Sequence, residues 1–421
     1  MANNFESNFT REVMKKTLAP FQSSRVLSKN VNTQLFAGKF NPDSGTVIDV
    51  KRPTDYTAQE TADGDISTTR SDIINGKASA TVQNYITVAV DYDEVDEALK
   101  MGDKSEMWQS IGNRIVTKLE TNFAAFAMKN LGLNYGAPGQ GVDSWAEVAG
   151  AGALMKASGI DDSKAWCYFL NPYSQVALAT EQRSLGVNPE AGSANSRATV
   201  ASNFAGFDVK TATTLSTYTS SAGADRAGTL TGAPDVTYLT AKDTMTQSFP
   251  ITAFQANLVV KAGEQLQVTG RNRLNLNTRE PIIDASGANV VYVGTVVADV
   301  TLNGSGAGNI VVTGPAIFEA AGAYNTVASS PTTSDVVTLL GAASATHQPN
   351  LFWHPDALTI ASVPIKKLHS TDTLATTADG LQLRCSKFSD GAANKQTVRF
   401  DLHPAFGCLN PFMGGHGYGV A

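Results

Sequence analysis

From residue 224 to residue 345 the chain loses nearly all helical periodicity, and this interruption limits its possible folds more than any other feature. Short β-rich runs take over at 236–240, 258–261, 265–269, 290–300, 310–313 and 336–340. Turn clusters such as Asn303-Gly304-Ser305-Gly306-Ala307-Gly308 separate them. This spacing predicts a small all-β barrel or sandwich. A mixed texture stands on either side. Before the interruption, Ser144 starts a helix through Ala157, residues 165–170 read as a buried strand, and Pro172 opens another helix. After it come apolar runs at 350–353 and 357–360, alternating strands at 381–385 and 397–402, and a glycine-rich tail. The same texture on both sides implies that the β-module interrupts one parent domain.

Three further parts precede the mixed region. The segment to residue 34 carries Val13, Met14, Leu18 and Phe21 at helical spacing, with Pro20 interrupting it. Too short to form its own core, it either packs on the main body or lies as an arm on a neighbouring molecule. Two strand-like runs, 46–50 and 80–90, flank a polar stretch from Thr54 to Asn75, which describes an extended hairpin. With so few apolar residues, the hairpin tip cannot be buried within its own domain. A long helix follows, capped by Asp103 with Glu106 three positions on, and stopped by Gly132. Its stripe of Trp108, Ile111, Ile115, Leu119, Phe123 and Phe126 reads as core packing. About 28 residues of helix would span about 40 Å. These observations divide the chain into 1–34, 35–90, 91–142, 143–223, 224–345 and 346–421.

Composition narrows the function. Charged residues make up only 17% and the formal net charge is −6, so the surface suits close contact with neighbours, where little charge must be desolvated. No dense basic run exists, and no Lys or Arg occurs between Glu280 and Ile365, which argues against direct nucleic-acid binding. Cys167, Cys385 and Cys408 are too scattered for a disulfide framework or a metal site. The start, Met1-Ala2-Asn3-Asn4-Phe5, lacks a basic-then-apolar leader, and no apolar run approaches membrane-helix length. A cytoplasmic origin without membrane contact is the expectation.

A search for chemistry yields no candidates for catalytic, cofactor-binding or metal-ligating roles. His347, His354, His369, His403 and His416 form no HxxxH or HExxH pattern. His369, Ser370 and Asp372 are triad residue types, but lie too close in sequence to converge. The tail Gly414-Gly415-His416-Gly417-Tyr418-Gly419 lacks the Lys-Ser/Thr ending of a phosphate loop and reads as a flexible or closely packed terminus. The acidic group Asp91, Asp93, Glu94, Asp96 and Glu97 does not fit a calcium loop and reads as the start of a solvated helix.

Particular runs resemble one known family. Asn350-Leu351-Phe352-Trp353-His354-Pro355-Asp356-Ala357-Leu358 is similar to the run that re-enters the parent domain in coat proteins of short-tailed Salmonella- and Shigella-type phages. Val398-Arg399-Phe400-Asp401-Leu402 and Asn410-Pro411-Phe412-Met413-Gly414-Gly415 look like their chain end. Lys51-Arg52-Pro53, Gly64-Asp65-Ile66-Ser67 and Asn84-Tyr85-Ile86-Thr87-Val88-Ala89-Val90 resemble their extended loop. The resemblance implies an α+β tailed-phage major capsid protein fold: N-terminal arm, extended loop, peripheral domain with a spine helix, and axial domain carrying an inserted β-barrel. It also implies a shell of pentamers and hexamers, assembled in the host cytoplasm with a scaffolding protein and a portal protein. The procapsid would expand as DNA is packaged, the DNA meeting the chain only through the shell interior.

Arg52, Glu60, Asp63 and Arg70 of the extended loop are the candidates for ion pairs between subunits, while Arg399 and Asp401 are expected to fix strand geometry. Rival readings are an encapsulin-like compartment shell, which shares the fold; a secreted carbohydrate-binding or adhesive protein; and an enzyme. Neighbouring portal and terminase genes would separate the first from a phage coat. The absent leader and the long helix weigh against the second, and the missing motifs against the third.

Overall fold

A computed structural model describes residues 6–35, 45–58, 60–67, 70–93, 105–184, 192, 194, 197–234, 236–320, 322–369, 372–391 and 394–420. The chain forms two compact units, Met1–Asp49 with Ser79–Ala124 and Leu358–Gly407, and Val50–Ala78 with Ala125–Ala357 and Cys408–Ala421.

In the first unit, helix Glu6–Ser23 lies on its own chain, with Val13, Met14, Thr17 and Phe21 buried. A Cβ at Gly112 of the long helix would stand 2.9 Å from the Thr17 carbonyl, so glycine permits the close approach. Within the single chain these side chains are buried. Pro20 does not interrupt the helix; it sits in the last turn, where only one i→i−4 bond is lost. The turn that follows is held by buried Glu120, which accepts from the N–H groups of Leu27 at 2.6 Å and Ser28 at 3.0 Å. The long helix spans Ser105–Asn130, with Trp108, Ile111, Ile115, Leu119 and Phe123 buried and Phe126 partly so. The predicted cap, Asp103, lies outside the described residues.

A four-stranded antiparallel sheet in this unit runs in the order Thr373–Thr376, Gln382–Asp390, Lys395–Leu402, Ile86–Asp93. Asp401 is wholly buried in it and accepts from Thr87 and Arg399 at 2.7 Å each, and from Arg384, its cross-strand partner. Burial pushes its pKa up, but the bonds from Thr87, Arg384 and Arg399 outweigh it and hold the carboxyl below its ordinary value. Asp91 and Asp93 belong to a strand and do not start a helix, because this segment pairs along its length with Lys395–Leu402. The run read as one strand at 80–90 is two, Lys77–Val82 and Ile86–Asp93, and they enter different sheets.

The second unit is built on a six-stranded sheet in the order Leu133–Tyr135, Gly414–Gly417, Asn350–Trp353, Trp166–Leu170, Phe207–Thr211, Asn203–Phe204. Helices Trp145–Ala157 and Pro172–Ser184 begin where the sequence places them. The Ser144 N–H donates to Glu147 Oε2 at 3.2 Å, one half of a capping box. The glycine-rich tail is a strand buried at every position.

The same unit contains a closed barrel, in the order Thr246–Thr252, Gly308–Thr313, Val291–Val296, Gln265–Asn272, Val336–Leu339, Ala227–Leu230. Phe249, Leu266, Val268, Tyr292, Ile310, Val312 and Val337 fill its core. Two of its strands, Ala227–Leu230 and Thr246–Thr252, coincide with none of the predicted runs. Residues 236–240 are not a strand. Thr237 instead caps a short helix, Tyr238–Ala241, accepting from the Thr240 N–H, while Tyr238 stacks on Tyr324 with ring centroids 3.6 Å apart. The cap outweighs the β-propensity of Val236, Thr237 and Thr240.

Candidate assembly surfaces

The hairpin between Val47–Lys51 and Lys77–Val82 has an anchored base and an open end. Backbone bonds from Val82 N–H to the Thr46 carbonyl (3.0 Å) and from Arg52 N–H to the Gly76 carbonyl (2.8 Å) hold its arms together. The Arg52 guanidinium donates to the carbonyls of Lys77 (3.0 Å) and Leu409. Burial lowers its pKa, partly offset by Cys408, Tyr238 and Asp243. Asp55 pairs with Arg279 at 2.5 Å, and its N–H donates to the Tyr324 hydroxyl at 2.9 Å. Ile74 packs against the cluster of Tyr238, Met245, Ile317 and Phe412.

Past this base, residues 60–67 are exposed throughout. Glu60, Asp63 and Arg70 lie on this open part, where Asp63 accepts from the Asp65 N–H at 3.1 Å. Tyr56, Ile66 and Ile73 are 52%, 57% and 71% exposed, which is unusual for side chains of their size. The four candidate contact residues therefore separate. Arg52 is engaged inside its own chain, while the other three face outward. The sequence carried no sign of this division, since Arg52 differs from Arg70 only in what lies across from it.

A second outward surface is the solvent face of the long helix, with Gln109, Ser110, Asn113, Arg114, Thr117, Lys118 and Thr121 exposed. Among the side chains described on this face, the two charged ones, Arg114 and Lys118, are basic.

The cysteines and Asp372 sit in surroundings that do not favour chemistry. Burial pushes the thiol of Cys167 up to about 11 and those of Cys385 and Cys408 up to about 12, so all three stay protonated at neutral pH. Asp372 accepts from the N–H groups of Leu368 (2.7 Å) and His369 (3.0 Å), closing a turn without orienting an imidazole. Among the described residues, no group of three or more His, Cys, Asp or Glu could hold a metal ion, and no helix is long and apolar enough to cross a membrane.

Comparison with known proteins gives the family of the chain. A family model described as "P22 coat protein - gene protein 5" matches residues 1–419. The chain belongs to the P22 coat protein family. It is also 34% identical to the major capsid protein of Acyrthosiphon pisum secondary endosymbiont phage 1, over the full length of both chains. Among solved structures it is similar to that of Mycobacterium phage Che8, with a TM-score of 0.47, 10% identity, and coverage of 93% of this chain and 90% of that one. It is likewise similar to the capsid of cyanophage P-SCSP1u, with a TM-score of 0.44, 12% identity, and coverage of 91% and 86%. The coat protein is thus a phage major capsid protein, a structural subunit that joins copies of itself in the icosahedral shell of the virion. The α+β fold with its closed barrel is the one expected from the sequence.

Proposed function

We propose that copies of the chain form pentamers and hexamers that close into a procapsid in the host cytoplasm, guided by a scaffolding protein and a portal protein. The procapsid then expands as DNA is packaged. No catalytic step belongs to this role, and packaged DNA meets the chain only through the shell interior, in keeping with the net charge of −6.

The observation that carries this reading is the open end of the hairpin. It exposes Tyr56, Ile66 and Ile73 away from any core, in a chain whose family match runs over residues 1–419. Apolar side chains on a polar, unsupported loop gain burial only against another molecule. Glu60, Asp63 and Arg70 are the proposed ionic contacts between subunits, and the basic helix face with Arg114 and Lys118 is of suitable charge to receive the acidic members. Many modest contacts of this kind, acting together, make a closed shell strong. Residues 224–345 are proposed to act as one unit inserted in the axial domain, with 1–34, 35–90, 91–142, 143–223 and 346–421 as the remaining parts. An encapsulin-like compartment shell is disfavoured by the full-length match to a coat family.

Electron microscopy of the purified protein mixed with the scaffolding protein encoded beside it tests the reading. Closed shells are expected. Persistent monomers under conditions where the scaffolding protein is active overturn it.

A further inference from the structure

The long helix ends at Asn130, and its last carbonyls have no partner within the helix. Ala127 O accepts from the Leu131 N–H just past the helix, while Met128 O, Asn130 O and the two carbonyls that follow receive donors from elsewhere in the second unit. Met128 O accepts from His416 Nε2 at 2.7 Å, and Asn130 O from the Cys408 thiol at 3.3 Å. Leu131 O accepts from the Thr295 hydroxyl at 2.6 Å, and Gly132 O from Arg273 Nη2 at 3.2 Å. Thr295 is in a barrel strand, and Arg273 immediately follows another.

One barrel side chain organises two of these donors. Gln265 is fully buried, and its Nε2 lies 2.7 Å from His416 Nδ1 and 3.1 Å from Thr295 Oγ1. The proton assignment follows from the partners. A carbonyl can only accept, so His416 Nε2 carries the hydrogen toward Met128, leaving Nδ1 as an acceptor. The two amide hydrogens of Gln265 then point at His416 Nδ1 and Thr295 Oγ1, and the Thr295 hydroxyl hydrogen is free to point at Leu131 O. Arg273 supports the same end. It is buried, donates also to the Val293 carbonyl at 2.7 Å, and lies 5.6 Å from the Tyr292 ring centre and 6.0 Å from that of Phe412. A cation held by carbonyls and aromatic faces beside a helix C-terminus complements the negative end of the helix dipole.

We infer that the inserted barrel acts on its own chain as the C-terminal cap of the long helix, and that Gln265 is the positioning residue aiming both His416 and Thr295 at the helix end. The barrel is therefore a working part of the subunit's interior as well as an appended module. This inference goes beyond the shell role and does not depend on it.

Hydrogen exchange measured on the full-length chain tests it. In Gln265→Leu, amides of residues 127–135 are expected to exchange about tenfold faster, as for the loss of one or two hydrogen bonds. Barrel strands Thr246–Thr252 and Gly308–Thr313, which do not contain Gln265, are expected to stay within about twofold of their normal rates. Unchanged exchange at the helix end overturns the inference. So does equal loss of protection in the barrel, which would make Gln265 a barrel-core residue and nothing more. A second measurement needs no variant. Ring nitrogen NMR of the unaltered protein at neutral pH is expected to give a neutral His416 with its hydrogen on Nε2; a ring protonated on Nδ1, or on both nitrogens, overturns the assignment.

Discussion

Two stretches of this chain have almost no large apolar side chains, yet they lie at opposite extremes of exposure. Residues 60–67 of the hairpin are exposed at every position, while Gly414–Gly417 is buried at every position in the six-stranded sheet. Glycine serves different ends in the two. Gly64 has φ +75 and open space around it, so it turns the backbone. Gly415 has no room for a side chain at all, since a Cβ would collide with the Leu133 carbonyl and backbone; one on Gly417 would collide with the Tyr168 hydroxyl. In the tail, missing side chains let strands and an aromatic ring approach closely. In the hairpin, apolar side chains are too few to build a core, and Ile66 stays exposed. A shared composition thus hides one region made for the interior of the subunit and one for its outside.

The same substitution in both places tests this contrast most strongly. Gly415→Ala should destabilise the chain by at least about 3 kcal/mol, the upper range for overpacking against parts that cannot shift. Gly64→Ala should cost about 1 kcal/mol, for the left-handed backbone alone. Urea unfolding of both variants reads the difference, and equal midpoints would mean that close approach is not what holds the tail.

Acid should separate the two regions next. Burial lowers the His416 pKa to about 4 from an ordinary 6.5, offset in part by the bond to Met128. Below pH 6.5 the unfolded chain takes up a proton that the folded chain refuses. Stability is therefore complete above about pH 6.5 and falls by about 3 kcal/mol as the pH drops to about 4. His347, His354 and His403 are lowered too, chiefly by burial, and act in the same direction. Urea midpoints from pH 7 to pH 4 should fall more steeply in the unaltered protein than in His416→Asn, and parallel slopes would remove His416 from the account.

Elements whose cause is local were legible in the sequence. Ser144 with Glu147 marks a helix start, and the run Trp166–Leu170 is a strand because five successive residues there bury their side chains. Elements whose cause is distant were not. Thr246–Thr252 contains Pro250, which argues against a strand, yet its pairing with Gly308–Thr313 holds it in the barrel. Gln265 and Thr295 read as ordinary polar residues within β-runs; only the arrival of His416 from the far end of the chain gives them a role. For the candidate assembly surface, the open hairpin end followed from a lack of apolar residues. The inward turn of Arg52 did not, because its acceptors include the carbonyl of Leu409.

At the hairpin base the expected effects are smaller. The Asp55–Arg279 pair has side chains 50% and 22% exposed, so Asp55→Asn should cost about 0.2–1 kcal/mol. Limited proteolysis of the loop should speed up by no more than about fivefold. A far larger increase would mean that this pair, and not Arg52 and Ile74 with it, holds the hairpin to the body.

The smallest effect on stability is expected at the tip, where the effect on assembly should be clear. Glu60 and Asp63 are exposed, and neither makes an ion pair with another described residue. Glu60→Lys with Asp63→Lys should leave the unfolding free energy, read by urea, within about 0.5 kcal/mol of the original. If the tip meets a basic surface on another copy, the same double change should lower shell yield by replacing attraction with repulsion. The loss should be greatest at low salt and shrink as salt rises, because exposed charges are screened over roughly 8 Å at physiological ionic strength. Light scattering during assembly across a salt series measures both quantities. A yield equal to that of the unaltered chain at every salt concentration would leave Tyr56, Ile66 and Ile73 as the contacts and remove the charges from the interface.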